Sequence, residues 1–193
     1  MCPTIILASK SNGRAKILRE ACFAFDSVHG NVDESAIREK SPEELVKKLA
    51  LAKAEDVALK ADAKAVVIGA DTVCVFGGKF IGKPRDKDDA FRMLSAFSGK
   101  THMLFTGIAV LCMGDKKSLV DVSVSTVTFR TISKAEIDDY LTTDDAMNFA
   151  GGYNIDATKS MRFIEGISGS YTGVIGMPLE KLVPMLKKCG FDY

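Results

Sequence analysis

Ala65-Val66-Val67-Ile68 is an unbroken apolar run held between Lys64 and Gly69. A short run with no polar alternation suits a strand buried on both faces, and such a strand needs helices packed against its sheet. Strand character resumes after Gly69-Ala70-Asp71-Thr72 and continues through Phe76 to Gly77-Gly78, where a hairpin turns back to Phe80-Ile81-Gly82-Lys83-Pro84. Two longer extended stretches, Thr101 to Cys112 and Ser118 to Arg130, are joined by Met113-Gly114-Asp115-Lys116 and read as a central hairpin. Antiparallel pairing in mid-chain makes a mixed sheet flanked by helices the expectation, in preference to a doubly wound parallel sheet.

The helices announce themselves by spacing and caps. Ile17, Leu18, Ala21, Cys22 and Phe25 recur at helical intervals after an opening strand, Thr4 to Ala8. Ser41 with Pro42 and Glu44 opens a second helix as a capping box, with its end expected near Ala61-Asp62. Asp86 caps a third, whose Ala90, Met93, Leu94 and Phe97 share a face, and Ser98-Gly99 stops it. Ser133 with Glu136 boxes a short helix to Leu141, a strand falls near Met161 to Ile167, and Pro178 opens a last helix with Leu179, Leu182, Val183 and Leu186 inward.

Composition excludes several functions. With 26 basic and 25 acidic residues among 193, the net charge of +1 gives no electrostatic footprint for nucleic acid. The five cysteines are scattered, without a Cys-x-x-Cys pair, which suggests neither a disulfide framework nor a zinc ribbon and fits a reducing compartment. No apolar run approaches membrane-spanning length and no signal segment is evident, so a cytoplasmic protein without a membrane partner is expected. Two histidines, His29 and His102, leave any chemistry to carboxylates and lysines.

Candidate site residues stand out against this background. The opening strand runs into Ser9-Lys10-Ser11-Asn12-Gly13-Arg14, which delivers hydroxyls and a guanidinium to a helix N-terminus. Those groups can hold a phosphate, and Ser11 or Asn12 can equally serve as an ordinary cap. In the second helix Lys53 falls in the stripe Leu45, Leu49, Lys53, Val57, either snorkelling to water or facing a site. Asp71 follows the buried run with only the small residues Gly69 and Ala70 between, and is expected at the carboxyl end of a core strand, as a ligand group or as a turn former. Lys83 is fixed between Gly82 and Pro84.

Taken in order, Ser-x-Ser-x-x-Arg, the acidic Val32-Asp33-Glu34, the stripe lysine, Ile68-Gly69-Ala70-Asp71-Thr72 and Gly82-Lys83-Pro84 resemble the Maf family of nucleoside triphosphate pyrophosphatases. The resemblance extends through Ser98-Gly99-Lys100-Thr101-His102, Thr106-Gly107, Ala150-Gly151-Gly152-Tyr153, Ile167-Ser168-Gly169-Ser170-Tyr171 and Gly176-Met177-Pro178-Leu179, nearly the whole length. It implies one Maf-like domain over 1–193, elongated, with two lobes around a cleft, similar to inosine triphosphate pyrophosphatases. It also implies cleavage of a nucleoside triphosphate to monophosphate and pyrophosphate with Mg²⁺ or Mn²⁺, in a house-cleaning role and as a homodimer. By position, Ser9, Ser11, Arg14 and Lys53 would hold the substrate, Lys83 would neutralise charge, and Glu34 and Asp71 would bind the metal or orient water, Asp71 accepting the proton. If Asp33 and Glu34 are extended only one can face the site, and the resemblance selects Glu34.

Base preference turns on three positions. Thr72 matches the branch that acts on dTTP and UTP, whereas Gly13 and Asp156 stand where that branch has Arg and Gln. Asp156 only accepts hydrogen bonds, which would suit 7-methylguanosine triphosphate, or it faces solvent. The expectation is a dTTP/UTP or modified-nucleotide pyrophosphatase, with the 7-methylguanosine substrate as one alternative. A non-catalytic nucleotide-binding regulator of cell division is another.

Overall fold

The computed structural model describes residues 4–142, 144–156 and 158–191. Its strands are β1 (Ile5–Ala8), β2 (Phe25–Val28), β3 (Val66–Phe76), β4 (Lys79–Ile81), β5 (Thr101–Cys112), β6 (Lys117–Phe129) and β7 (Ile164–Ser168). The helices are α1 (Asn12–Glu20), α2 (Pro42–Ala58), α3 (Lys87–Phe97), α4 (Lys134–Tyr140), α5 (Thr158–Met161), α6 (Tyr171–Ile175) and α7 (Leu179–Lys188). The seven strands form one mixed sheet in the order β2-β1-β3-β5-β6-β7, with β4 paired to β3. β1 runs parallel to β2 and β3, while β3–β4 and β6–β7 are antiparallel.

The chain divides into two compact units. One is Met1–Thr72, Phe105–Ser123 and Thr172–Tyr193; the other is Val73–Leu104 and Val124–Tyr171. In the first, alternate residues of the same strands feed two cores. Ile68, Ala70, Ile108 and Val110 pack with Leu18, Leu182 and Leu186, and Val67, Ala109 and Leu111 pack with Ala50, Ala54 and Val57. The strand at 66–68 is therefore covered on both faces, as its unbroken apolar run requires.

Several expectations need correction. The first helix stops at Glu20: Cys22 takes a positive φ of 60° and Phe23 N–H closes onto the Leu18 carbonyl, so Phe25 begins β2 instead of continuing the helical stripe. Ser41 caps α2 by accepting the Glu44 N–H, but the Glu44 carboxylate pairs with Lys47 instead of returning to the Ser41 backbone N–H, so the capping box is not closed. α2 also ends earlier, at Ala58. Cys112, which ends β5, and Cys189, which follows α7, form a disulfide with Cα atoms 5.7 Å apart. Their separation of 77 residues hid the pairing, which appears only once α7 lies back along the sheet. Cys22 and Cys74 are free, and Cys2 lies outside the described residues.

The second unit is built on aromatic packing. Buried His102 stacks on Phe97 with ring centroids 4.3 Å apart, and its Nε2 meets the Tyr153 hydroxyl at 2.7 Å. Burial holds this imidazole down at about 4, against an ordinary value near 6.5. Because the unfolded chain takes up that proton first, stability present above pH 6.5 is lost as pH falls toward 4, by up to about 3 kcal/mol. In denaturant titrations across that range, His102→Gln should flatten the pH dependence of the unfolding free energy.

Candidate functional site

The site begins where β1 stops. Ser11 caps α1 by accepting the Arg14 N–H at 3.4 Å. Ser9 Oγ accepts from the Ser11 N–H and from Arg14 Nη1, both at 3.1 Å, and Arg14 Nε donates to the Gly176 carbonyl at 3.1 Å. With its lone pairs engaged, the Ser9 hydroxyl is left to donate, which suits an anionic oxygen. Arg14 is half-buried; burial lowers its pKa, opposed by the nearby charges of Asp71 and Glu34.

Asp71 lies inside β3, not at its end, because Gly69 and Ala70 leave the strand unbroken. The strand end that matters belongs to β1, whose pairing with β3 stops at Leu7↔Ile68 and leaves Asp71 beyond it. Lys53 reaches Asp71 Oδ1 at 2.6 Å and Glu34 Oε1 at 2.9 Å. It is thus the stripe lysine that faces a site: its side chain is 16% exposed, against 11% for Asp71 and 57% for Glu34. Glu34 sits in a 3-10 turn, Glu34–Ala36, capped by Asp33, whose Oδ1 is taken by the Ser35 N–H at 3.0 Å and hydroxyl at 2.6 Å. These bonds hold Asp33 below the usual carboxylate range and occupy it locally, which leaves Glu34 as the acid directed at Lys53. The segment is a turn, and capping, not strand alternation, separates the two acids.

Two glycines make this approach possible. A Cβ on Gly69 would overlap the Ala50 carbonyl, and one on Gly107 the Val46 carbonyl, so α2 rests directly on the backbone of β3 and β5. On the opposite face of β3, Thr106 donates to the Gly173 carbonyl at 2.8 Å and stands 3.0 Å from Thr72 Oγ1. A hydroxyl has one proton, so Thr72 must be the donor of that pair and offers only lone pairs to anything else that approaches it. The sequence marked Thr72 but not Thr106 as its orienting partner; the signal available was a hydroxyl among the apolar residues of a buried strand. Gly13 is packed near Ile175, whose Cγ2 would lie 3.2 Å from an added Cβ.

Ser9, Ser11, Gly13, Arg14, Glu34, Lys53, Asp71 and Thr72 all belong to the first unit. Lys83 and Asp156 belong to the second. There Lys83 is exposed beside buried Pro84, and the Gly82 carbonyl accepts the Gly151 N–H at 3.0 Å. Asp156 is half-buried, with its N–H donated to Asn154 Oδ1 at 3.0 Å.

A family model described as Maf-like protein matches residues 4–189. The chain belongs to the Maf family. A relative named dTTP/UTP pyrophosphatase from Clostridioides difficile is 38% identical over 184 residues, covering 95% of this chain and 94% of its own. One of the same name from Desulforamulus reducens is 39% identical and one from Dictyoglomus thermophilum 40%, each alignment covering 97% of both chains. A solved nucleoside-triphosphatase, described as a dITP/XTP pyrophosphatase, from Mycobacterium abscessus aligns over 97% of this chain and 95% of its own. Its identity is 11% and its TM-score 0.43, too loose to carry an argument.

The donor chemistry for a divalent cation fits. Glu34 and Asp71 share one cationic partner, supply oxygen only, and are joined by no third acid, histidine or cysteine at metal-binding spacing among the described residues. Mg²⁺ or Mn²⁺ bound by one or two carboxylates completes its shell with substrate phosphates and water. Gly69→Ala should force α2 away from β3 and lower stability by about 1–3 kcal/mol, read as a fall in Tm with the folded-state circular dichroism spectrum retained.

Proposed function

We propose that this chain hydrolyses a nucleoside triphosphate between the α and β phosphates, releasing nucleoside monophosphate and pyrophosphate. The observation that carries the reading is the Lys53 ammonium held by Asp71 and Glu34 beside the Ser9–Ser11–Arg14 turn. It joins an anion-binding element to a carboxylate able to take a proton. Attack at phosphorus asks mainly for positioning and for stabilisation of spread negative charge. Arg14, preset by its bonds to Ser9 and Gly176, and the Ser9 hydroxyl supply donors for phosphate oxygens. Lys53 supplies a positive charge; for Lys83 the support is the family resemblance of Gly82-Lys83-Pro84 alone. Asp71 accepts the proton of the attacking water as the Pα–O bond to pyrophosphate breaks, the leaving oxygen carrying away the electron pair.

A divalent cation, held by Glu34 and Asp71 when bound, would polarise the phosphates. Pyrimidine triphosphates are the proposed substrates: the relatives are named for dTTP and UTP, and Thr72 presents an acceptor that an N–H donor can meet. The family resemblance adds a homodimer in the cytosol to this reading. Among the described residues no helix is long and apolar enough to cross a membrane.

The deciding assay offers dTTP, UTP, CTP, GTP and 7-methylguanosine triphosphate with Mg²⁺ or Mn²⁺ and measures pyrophosphate. Release is expected fastest from dTTP and UTP. Asp71→Asn should slow it about a thousandfold with an unchanged fold; near-normal turnover in that variant would refute the assignment.

A further inference from the structure

The Lys53 ammonium lies 2.6 Å from Asp71 Oδ1 and 2.9 Å from Glu34 Oε1, at the place from which one cation reaches both acids. A divalent cation held by both acids would have to take carboxylate oxygens that the ammonium now engages, in the same small space. Two positive groups cannot occupy it together. Arg14 feels the same two carboxylates, so the positive charge nearby is already substantial before any metal arrives. Lys53 and Asp71 are largely shielded from water, where opposite charges hold each other more strongly than they would on the surface. Glu34 is the exposed member of the triad and stands on a short turn.

We propose that Lys53 is a resident counter-ion that keeps the Glu34–Asp71 pair closed to divalent cations until a triphosphate draws its ammonium onto phosphate oxygens. The inference rests on the pyrophosphatase reading, in which nucleotide and metal meet at these residues. Lys53 then serves two partners in turn, the acids without substrate and the phosphates with it. Metal and nucleotide must consequently strengthen each other's binding by the same factor, since the coupling is reciprocal. In the absence of substrate the free protein holds metal poorly, although both acids are present.

The experiment is a titration of Mn²⁺ into the whole protein, followed by calorimetry and by the electron paramagnetic resonance of free Mn²⁺. It is run with and without a non-hydrolysable dTTP analogue carrying a methylene bridge between the α and β phosphates, and the Mn²⁺ held by the analogue in the absence of protein is subtracted. Wild type should bind Mn²⁺ about tenfold more tightly with the analogue than without it. Lys53→Met, which keeps the stem and removes the charge, should bind Mn²⁺ about tenfold more tightly than wild type when no nucleotide is present, and should lose most of the enhancement. Lys53→Arg, which keeps the charge, should retain the weak binding and the enhancement, and so guards against an effect of misfolding in the methionine variant. Equal Mn²⁺ affinity in wild type and Lys53→Met would overturn the counter-ion role while leaving the pyrophosphatase reading intact. Absence of protein-dependent Mn²⁺ binding in every variant, with nucleotide or without, would overturn both.

Discussion

The contact of Lys53 with Asp71 and Glu34 depends on how closely a helix can approach a sheet. At Gly69 and Gly107 the backbone of α2 meets β3 and β5 with no side chain between them. Ala50 and Ala54 continue that flat contact, and both are fully buried. A lysine on the same helix face therefore starts near the strand and keeps its ammonium at Asp71, where a helix spaced by larger residues would carry it past. The ion pair then has its own requirement. A carboxylate shielded to this degree needs a cation, and a cation so placed needs acids. Packing and charge specify each other here, and Glu34 from a separate turn completes the set.

Hydroxyl direction supplies a second layer of definition. Ser9 accepts from two donors and Thr72 gives its proton to Thr106, so the two hydroxyls present opposite hydrogen-bonding character. One is a donor fit for phosphate, the other an acceptor fit for an N–H or O–H. Both assignments follow from counting protons and lone pairs, and both depend on backbone groups, the Ser11 N–H and the Gly173 carbonyl, that side-chain substitution does not remove.

Much of this was legible in the sequence, for reasons that can be named. The strand at Val66–Ile68 showed because burial on both faces removes polar alternation, and Lys53 showed because a charge in an apolar stripe is conspicuous. Caps at Ser11, Asp86 and Ser133 were readable because capping is local chemistry. What escaped was set by distance along the chain or by competition between neighbours. Phe25 fitted a helical stripe until a left-handed Cys22 ended the helix, and Lys47 took the Glu44 carboxylate that a capping box would return to the Ser41 backbone N–H. Asp71 looked like a strand end because Gly69 and Ala70 are weak strand formers, yet close contact with α2 turns Gly69 into a strand residue. Thr106 could be placed in a strand, but no pattern tells which hydroxyl will lie opposite it.

The bond between Cys112 and Cys189 closes a covalent ring around everything from the turn after β5 to the end of α7. Within that ring lie β6, β7 and the glycine-rich segment that carries Gly173 and Gly176. A protease that nicked the backbone anywhere inside it would leave the fragments travelling as one species on a gel, to separate only when a thiol reductant opens the link.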